Sequence, residues 1–117
     1  MNTYLETRAL AEIARLAYIR THSSSEADVG AARGALSVWS ALLAAVYNCN
    51  RLGVPSPEWA VACLERAVFY ARPPCHPFYS GALEAALIVG RLVRDRNRSW
   101  RGTKAYAQLR RLLRRRA

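Results

Sequence analysis

Gly34-Ala35-Leu36-Ser37-Val38-Trp39-Ser40-Ala41-Leu42-Leu43-Ala44-Ala45-Val46-Tyr47-Asn48-Cys49-Asn50 is the longest uncharged stretch of the chain, seventeen residues between Arg33 and Arg51. A membrane span needs about 20 predominantly apolar residues; this run is shorter and is interrupted by Ser37, Ser40, Asn48 and Asn50. Around it Val29, Leu36 and Leu43 recur every seven residues, with Ala32, Trp39 and Val46 beside them. Such spacing lays an apolar stripe along an α-helix. The stretch therefore reads as the buried central helix of a helical protein, spanning residues 26–51. Its other side, Arg33, Ser37, Ser40, Ala44, Asn48 and Arg51, is small or polar. Gly30 and Gly34 form a small-xxx-small pair, which lets another helix approach closely.

Helix punctuation surrounds this segment. Ser25-Glu26-Ala27-Asp28 opens it with a cap, and Gly53 followed by Pro55 closes it. Upstream, Thr3-Tyr4-Leu5-Glu6 fits a capping box, starting a first helix that runs to Thr21 with Leu5, Ala9, Ile13, Leu16 and Ala17 on one face. On its solvated side, with Glu6, Arg8/Glu12 and Glu12/Arg15 stand at pairing distance along a helix. Downstream, Ser56-Pro57-Glu58 places a cap, a proline at the first helical position and an acid in the first turn. The third helix, 57–71, should turn Ala60, Leu64, Ala67, Val68 and Ala71 inward, with Trp59 and Cys63 at the flank and Glu65 paired with Arg66. After the rigid connector Pro73-Pro74-Cys75-His76-Pro77, Ser80 is expected to cap a fourth helix. That helix has a narrow polar wedge (Glu84, Arg91, Asp95, Arg98), so it should be largely buried as far as Val93. Asn97–Gly102 breaks it. Thr103 can cap a last helix, in which Ala105, Tyr106, Leu109, Leu112 and Leu113 make one stripe and Arg110, Arg111, Arg114 and Arg115 the other side. No alternating run and no Asn-Gly or Asp-Gly dipeptide signals a strand or hairpin. The expectation is all-α, a single compact bundle of about five helices forming one domain over 1–117, with a neutral body (1–96) and a basic C-terminal segment (97–117).

The 117 residues suffice for one domain, and 52% hydrophobic with 22% charged residues excludes wholesale disorder. Eighteen basic residues oppose eight acidic ones, a net +10. Residues 1–90 balance at seven Arg and seven Asp/Glu, whereas 91–117 hold ten Arg, one Lys and one Asp, which is the whole excess. A GC-rich genome would account for part of the bias to seventeen Arg against one Lys and to twenty-one Ala, but not for one end carrying all the net charge. The first residues lack the basic and apolar regions of a secretory signal. Three widely spaced cysteines (Cys49, Cys63, Cys75) make no disulfide framework. The protein is expected to be cytoplasmic and reduced.

Chemistry-bearing patterns are sparse. Cys75-His76 is adjacent, but no C-x-x-C or H-x-x-x-H pair exists, so no metal is expected. The sequence has no G-x-S-x-G, phosphate loop or H-E-x-x-H, and its two histidines stand far apart. No catalytic residue, cofactor or small-molecule substrate is expected. The cationic segment is the informative feature. Arg91, Arg94, Arg96, Arg98, Arg101 and Lys104 fall within fourteen residues, interrupted by Trp100 and followed by Tyr106, and Arg110, Arg111, Arg114 and Arg115 follow on the last helix. Guanidinium groups bind phosphate bidentately, and an aromatic among them stacks on a base or ribose. These are the candidate nucleic-acid-binding residues, Trp100 included. Three plainer accounts compete: Arg as helix C-terminal charge compensation, Trp100 as a core anchor, and the Arg face as a solubility device or membrane-surface helix. With no helix-turn-helix spacing, zinc finger or RNP motif, backbone contact is favoured over base reading.

In size, all-helical reading and one-sided basic charge, the chain resembles the helical small subunits of CRISPR effector complexes. The resemblance is architectural, spans the whole chain and rests on no diagnostic motif, so no family residue carries over. It implies a non-enzymatic subunit of a ribonucleoprotein that holds nucleic acid, RNA or DNA, through a basic face without reading sequence, with other protein subunits as partners and no membrane. An alternative is a phage or plasmid interaction protein, such as an anti-CRISPR-like inhibitor, that acts by binding a host protein.

Overall fold

The computed structural model describes residues 3–48 and 54–116, and the side chains of Thr3, Arg115 and Arg116 lie outside that description. Its elements are α1 (Thr3–His22), α2 (Glu26–Asn48), α3 (Pro57–Tyr70), α4 (Pro77–Arg96), a single 3-10 turn (Arg98–Trp100) and α5 (Lys104–Arg116). No strand occurs among the described residues. The fold is an all-α bundle of five helices.

Local chemistry sets most of the boundaries. The Ser25 hydroxyl accepts the Asp28 amide at 3.3 Å, Ser56 that of Trp59 at 3.2 Å and Thr103 that of Tyr106 at 3.2 Å. Each satisfies an amide that the helix itself leaves open. The Thr3 side chain, on which the expected capping box depends, and the helix end at Gly53 lie outside the description. One start differs from expectation. Helix α4 begins at Pro77, with His76 as its cap, whose Nδ1 accepts the Phe78 amide at 3.0 Å. Proline at the first helical position fixes φ where no amide is needed, so it starts the helix ahead of Ser80, which sits inside the first turn and donates to the Pro77 carbonyl.

Helices α2 and α4 share the most extensive contact, α1 leans on α2, and α3 and α5 lean on α4 and on each other. The backbones of α2 and α4 touch. A Cβ built on Gly34 would land in the Phe78 carbonyl, and one on Gly81 in the Ala31 carbonyl. The small-xxx-small pair thus serves packing within the chain, with Gly81 as the complementary notch on α4. By length and composition α2 could cross a membrane. Here it buries Ala32, Val38, Trp39, Leu42 and Val46 in the core. Val29, Leu36 and Leu43 lie at the edge of that core, only partly covered.

Leu5, Ala9 and Leu16 of α1 are buried as expected, as are Ala60, Leu64 and Ala67 of α3, where Val61 joins them and Val68 and Ala71 stay partly exposed. On α4 the buried row reaches Val93. Glu12 bridges Arg8 at 3.5 Å and Arg15 at 2.8 Å. Glu6 is not simply solvated. It accepts the Tyr47 hydroxyl at 3.1 Å, tying α1 to α2, and this hydrogen bond to a carboxylate raises the Tyr47 phenol above its ordinary range.

Gly34→Ala should destabilise by about 1–3 kcal/mol through the backbone clash, outweighing the better helix propensity of Ala. Gly102→Ala, where nothing stands within 4 Å, should be neutral or slightly stabilising; denaturant midpoints of the two variants check the contrast. Leu64 is fully buried and meets Gly90 where Leu113 arrives. Leu64→Ala should therefore cost about 2–5 kcal/mol in the same assay.

Candidate nucleic-acid interface

The C-terminal cations sort into two groups according to what they touch. The first belongs to the end of α4. Arg94 is paired with Asp95 at 3.0 Å. The Arg96 guanidinium lies 3.9 Å from the centre of the Tyr4 ring and donates to the Leu92 carbonyl, so it fastens α4 to the start of α1. Both stand in the last turn, where cations offset the helix dipole. Arg94 and Arg96 therefore have structural work of their own. Arg91 is half-buried on the polar wedge of α4.

The second group faces solvent. Arg98, Arg101, Lys104, Arg110, Arg111 and Arg114 are all exposed, and among the described residues none of them has a carboxylate within ion-pair distance. Arg101 donates to the Arg98 carbonyl, holding the two neighbours on one turn. On α5 the 100° step places Lys104, Arg110, Arg111 and Arg114 within an arc of about 120°. The opposite stripe of α5 is committed to the core through Tyr106, Leu109 and Leu113. Arg115 lies outside the described side chains. Glu65 of α3 approaches this face but accepts from Gln108 at 3.3 Å, rather than pairing with Arg66 as expected.

The two aromatics of the segment take opposite positions. Trp100 is 45% exposed on the 3-10 turn, so it is no core anchor. Tyr106, which its spacing puts on the apolar stripe of α5, is buried there at 6% exposure, so Trp100 is the aromatic of this segment that faces solvent.

One buried polar residue sets the geometry. Asn97 is 5% exposed, and its amide donates to the Val93 carbonyl at 2.7 Å and the Pro55 carbonyl at 3.0 Å. It ends α4, pins the junction to the entry of α3, and so fixes where Arg98, Trp100 and Arg101 emerge. Sequence reading had only a break here; the signal was an Asn just past a helix end, a residue type suited to bonding nearby backbone.

Other chemistry is thin among the described residues. No group of three His, Cys, Asp or Glu comes together. A cleft of about 510 Å³ between α1, α2 and α4 has Glu12, Arg15, His22, Asp28 and Glu84 on its walls, but Glu12 is already engaged by two arginines. A larger groove between α2 and α3, of about 720 Å³, is lined by aromatic and small apolar side chains. The sequence reading missed it.

Asn97→Ala should cost about 1–3 kcal/mol, because the Pro55 carbonyl would be left buried without its donor. Asn97→Asp, similar in size but with no N–H to give, should cost at least as much; thermal or denaturant unfolding of both variants measures this. No family model, curated protein or solved structure matches the chain.

Proposed function

We propose that the protein is a non-enzymatic helical subunit that binds the nucleic-acid backbone through α5 and the turn before it, within a larger ribonucleoprotein such as a CRISPR effector complex. The observation that carries this is the set of six exposed cations, from Arg98 to Arg114, without carboxylate partners among the described residues. Phosphate is the ligand such a face suits, since each guanidinium can take two of its oxygens.

The plainer accounts fit less well. Dipole compensation favours cations at helix C-termini, which covers Arg94, Arg96 and Arg114, but Lys104 opens α5 and no acid occupies its first turn. A membrane-surface helix needs a free apolar face, and Tyr106, Leu109 and Leu113 are already spent on the core. The exposure of Trp100 between Arg98 and Arg101 supports the reading, since an open indole among cations suits stacking on an unpaired base.

Binding of the wild-type protein to duplex DNA and to single-stranded RNA should weaken steeply with salt as counterions are released. Replacing Lys104, Arg110, Arg111 and Arg114 with Gln should lower affinity for all sequences alike and flatten the duplex slope by about 0.9 for each phosphate no longer neutralised. Trp100→Ala should leave unfolding unchanged and weaken single-strand binding by about 1–3 kcal/mol, with less effect on duplex. Mobility shifts over a salt series measure both. A wild-type protein that ignores RNA and DNA at low salt would overturn the proposal.

A further inference from the structure

The groove between α2 and α3 plays no part in the nucleic-acid proposal. Both helices lean on α4 and hardly on each other, so an open slot runs between them with α4 as its floor. On α3 its wall is Trp59, Cys63, Arg66 and Tyr70, steps of four, three and four residues along one face. Three turns of helix make that wall about 16 Å long. Val38 and Ala41 face it from α2, and Tyr79 and Ala82 lie at the bottom.

Two properties define what fits. The first is shape. Ala41, Ala62, Ala67 and Ala82 keep the walls and floor low, and helical walls with small side chains accept another helix. At one end Phe69, Tyr70 and Tyr79 form an exposed cluster, with Phe69 58% exposed. Tyr70 stacks on Tyr79 at 5.4 Å and meets Phe69 edge-on at 5.2 Å. Rings that brace one another lose little freedom when covered, as suits the anchors of a protein interface. The second property is charge. Arg66 is the one charged residue of the lining, and Arg72 stands at the cluster over the Phe69 ring at 4.1 Å. Neither has a carboxylate partner among the described residues. A slot of aromatic and small apolar side chains with a single lining cation cannot follow a phosphate chain, which presents a charge at every nucleotide.

We propose that this groove docks an amphipathic, acidic α-helix of a partner protein, its apolar face in the slot and a carboxylate on Arg66. The site is independent of the basic face. Glu65 meets α5 on one flank of α3, whereas Cys63 and Arg66 line the groove on the other. Burial raises the Cys63 thiol above its ordinary range, Arg66 partly opposing the shift. Cys63 is a free, partly exposed thiol on the groove wall, so its rate of alkylation reports whether the groove is covered.

The probe is a displayed library of helical peptides about 16 residues long, selected against the full-length protein and counter-selected against Ala62→Glu. Ala62 is exposed, so this variant should keep its helical melt; Ala41→Glu, also exposed, repeats the test from the facing wall. Selection should enrich peptides with apolar residues at i, i+3, i+4 and i+7 and Asp or Glu beside them. A synthetic copy of the best peptide should protect Cys63 from alkylation in a Cys49→Ser/Cys75→Ser background and bind at least about tenfold more weakly to either Glu variant. Arg66→Glu should shift its preference toward a Lys-substituted copy. The proposal is overturned by a selection that enriches nothing over the Ala62→Glu protein, or enriches peptides without that periodicity. It also fails if the wild type dimerises in sedimentation and Ala62→Glu abolishes this, making a second copy the occupant. RNA binding that is lost in Ala62→Glu and kept in the α5 Gln variant would assign the groove to a strand instead.

Discussion

The contact on which the rest of the bundle depends is the meeting of the α2 and α4 backbones, at Gly34 against the Phe78 carbonyl and Gly81 against that of Ala31. Glycine costs about 1 kcal/mol relative to Ala inside a helix, so two such notches are expected only where close approach returns more than it costs. Here it returns a continuous core. With α4 drawn against α2, Ala82, Ala85, Ala86 and Val89 close over Trp39 and Leu42, and the far side of α4 is free to carry α3 and α5. Helix α4 thereby becomes the central strut, touching α2, α3 and α5. The slot between α2 and α3 follows from the same arrangement, because both lean on α4 and not on each other.

Much of this was legible because it is local. The caps at Ser25, Ser56 and Thr103 act over three residues, and so does the Glu12 pairing with Arg15. The stripes of α1 and α5 are narrow enough that the periodicity alone named Leu5, Ala9, Leu16, Leu109 and Leu113. Helix α2 is apolar over a wide arc, and there periodicity could not say which part faces the core. The answer, Trp39 and Leu42 with Leu36 and Leu43 at the edge, is set by where α1 and α4 press. A hydroxyl before an apolar run, such as Ser80, is a common cap, but here His76 caps the helix four residues earlier through a ring nitrogen, with Pro77 supplying a fixed φ.

The candidate sites divide along the same line. That the excess charge sits after residue 90 is plain in the sequence, but which cations are free is a tertiary matter. Arg96 is taken by Tyr4, more than ninety residues earlier in the chain, and Asn97 by the carbonyl of Pro55. Trp100 and Tyr106 are six residues apart in similar surroundings, yet one faces solvent and the other the core. The aromatic groove was less legible still. Phe69-Tyr70 and Phe78-Tyr79 are separated by the proline-rich connector and converge only once that connector turns α3 back onto α4.

The arrangement of α5 bears on why the charge is there at all. Six exposed cations from Arg98 to Arg114 are gathered within seventeen residues and repel one another, a repulsion that salt screens over a Debye length of about 8 Å at physiological ionic strength. Close to them in space the chain offers Glu65, and spends it on Gln108. Stability would be served by acids at the start of α5, where the dipole favours them, yet that turn carries Lys104 and no acid. Meanwhile Leu109 and Leu113 are fully buried, and Asn97 pins the preceding junction. The fold thus holds rigidly a surface whose own electrostatics oppose holding it. Such a departure from local consistency, carried by a well-packed backbone, supports reading this surface as the binding face proposed above. Compensation of helix ends suffices for Arg94 and Arg96 and contributes at Arg114; it does not account for Arg98, Arg101, Lys104, Arg110 and Arg111.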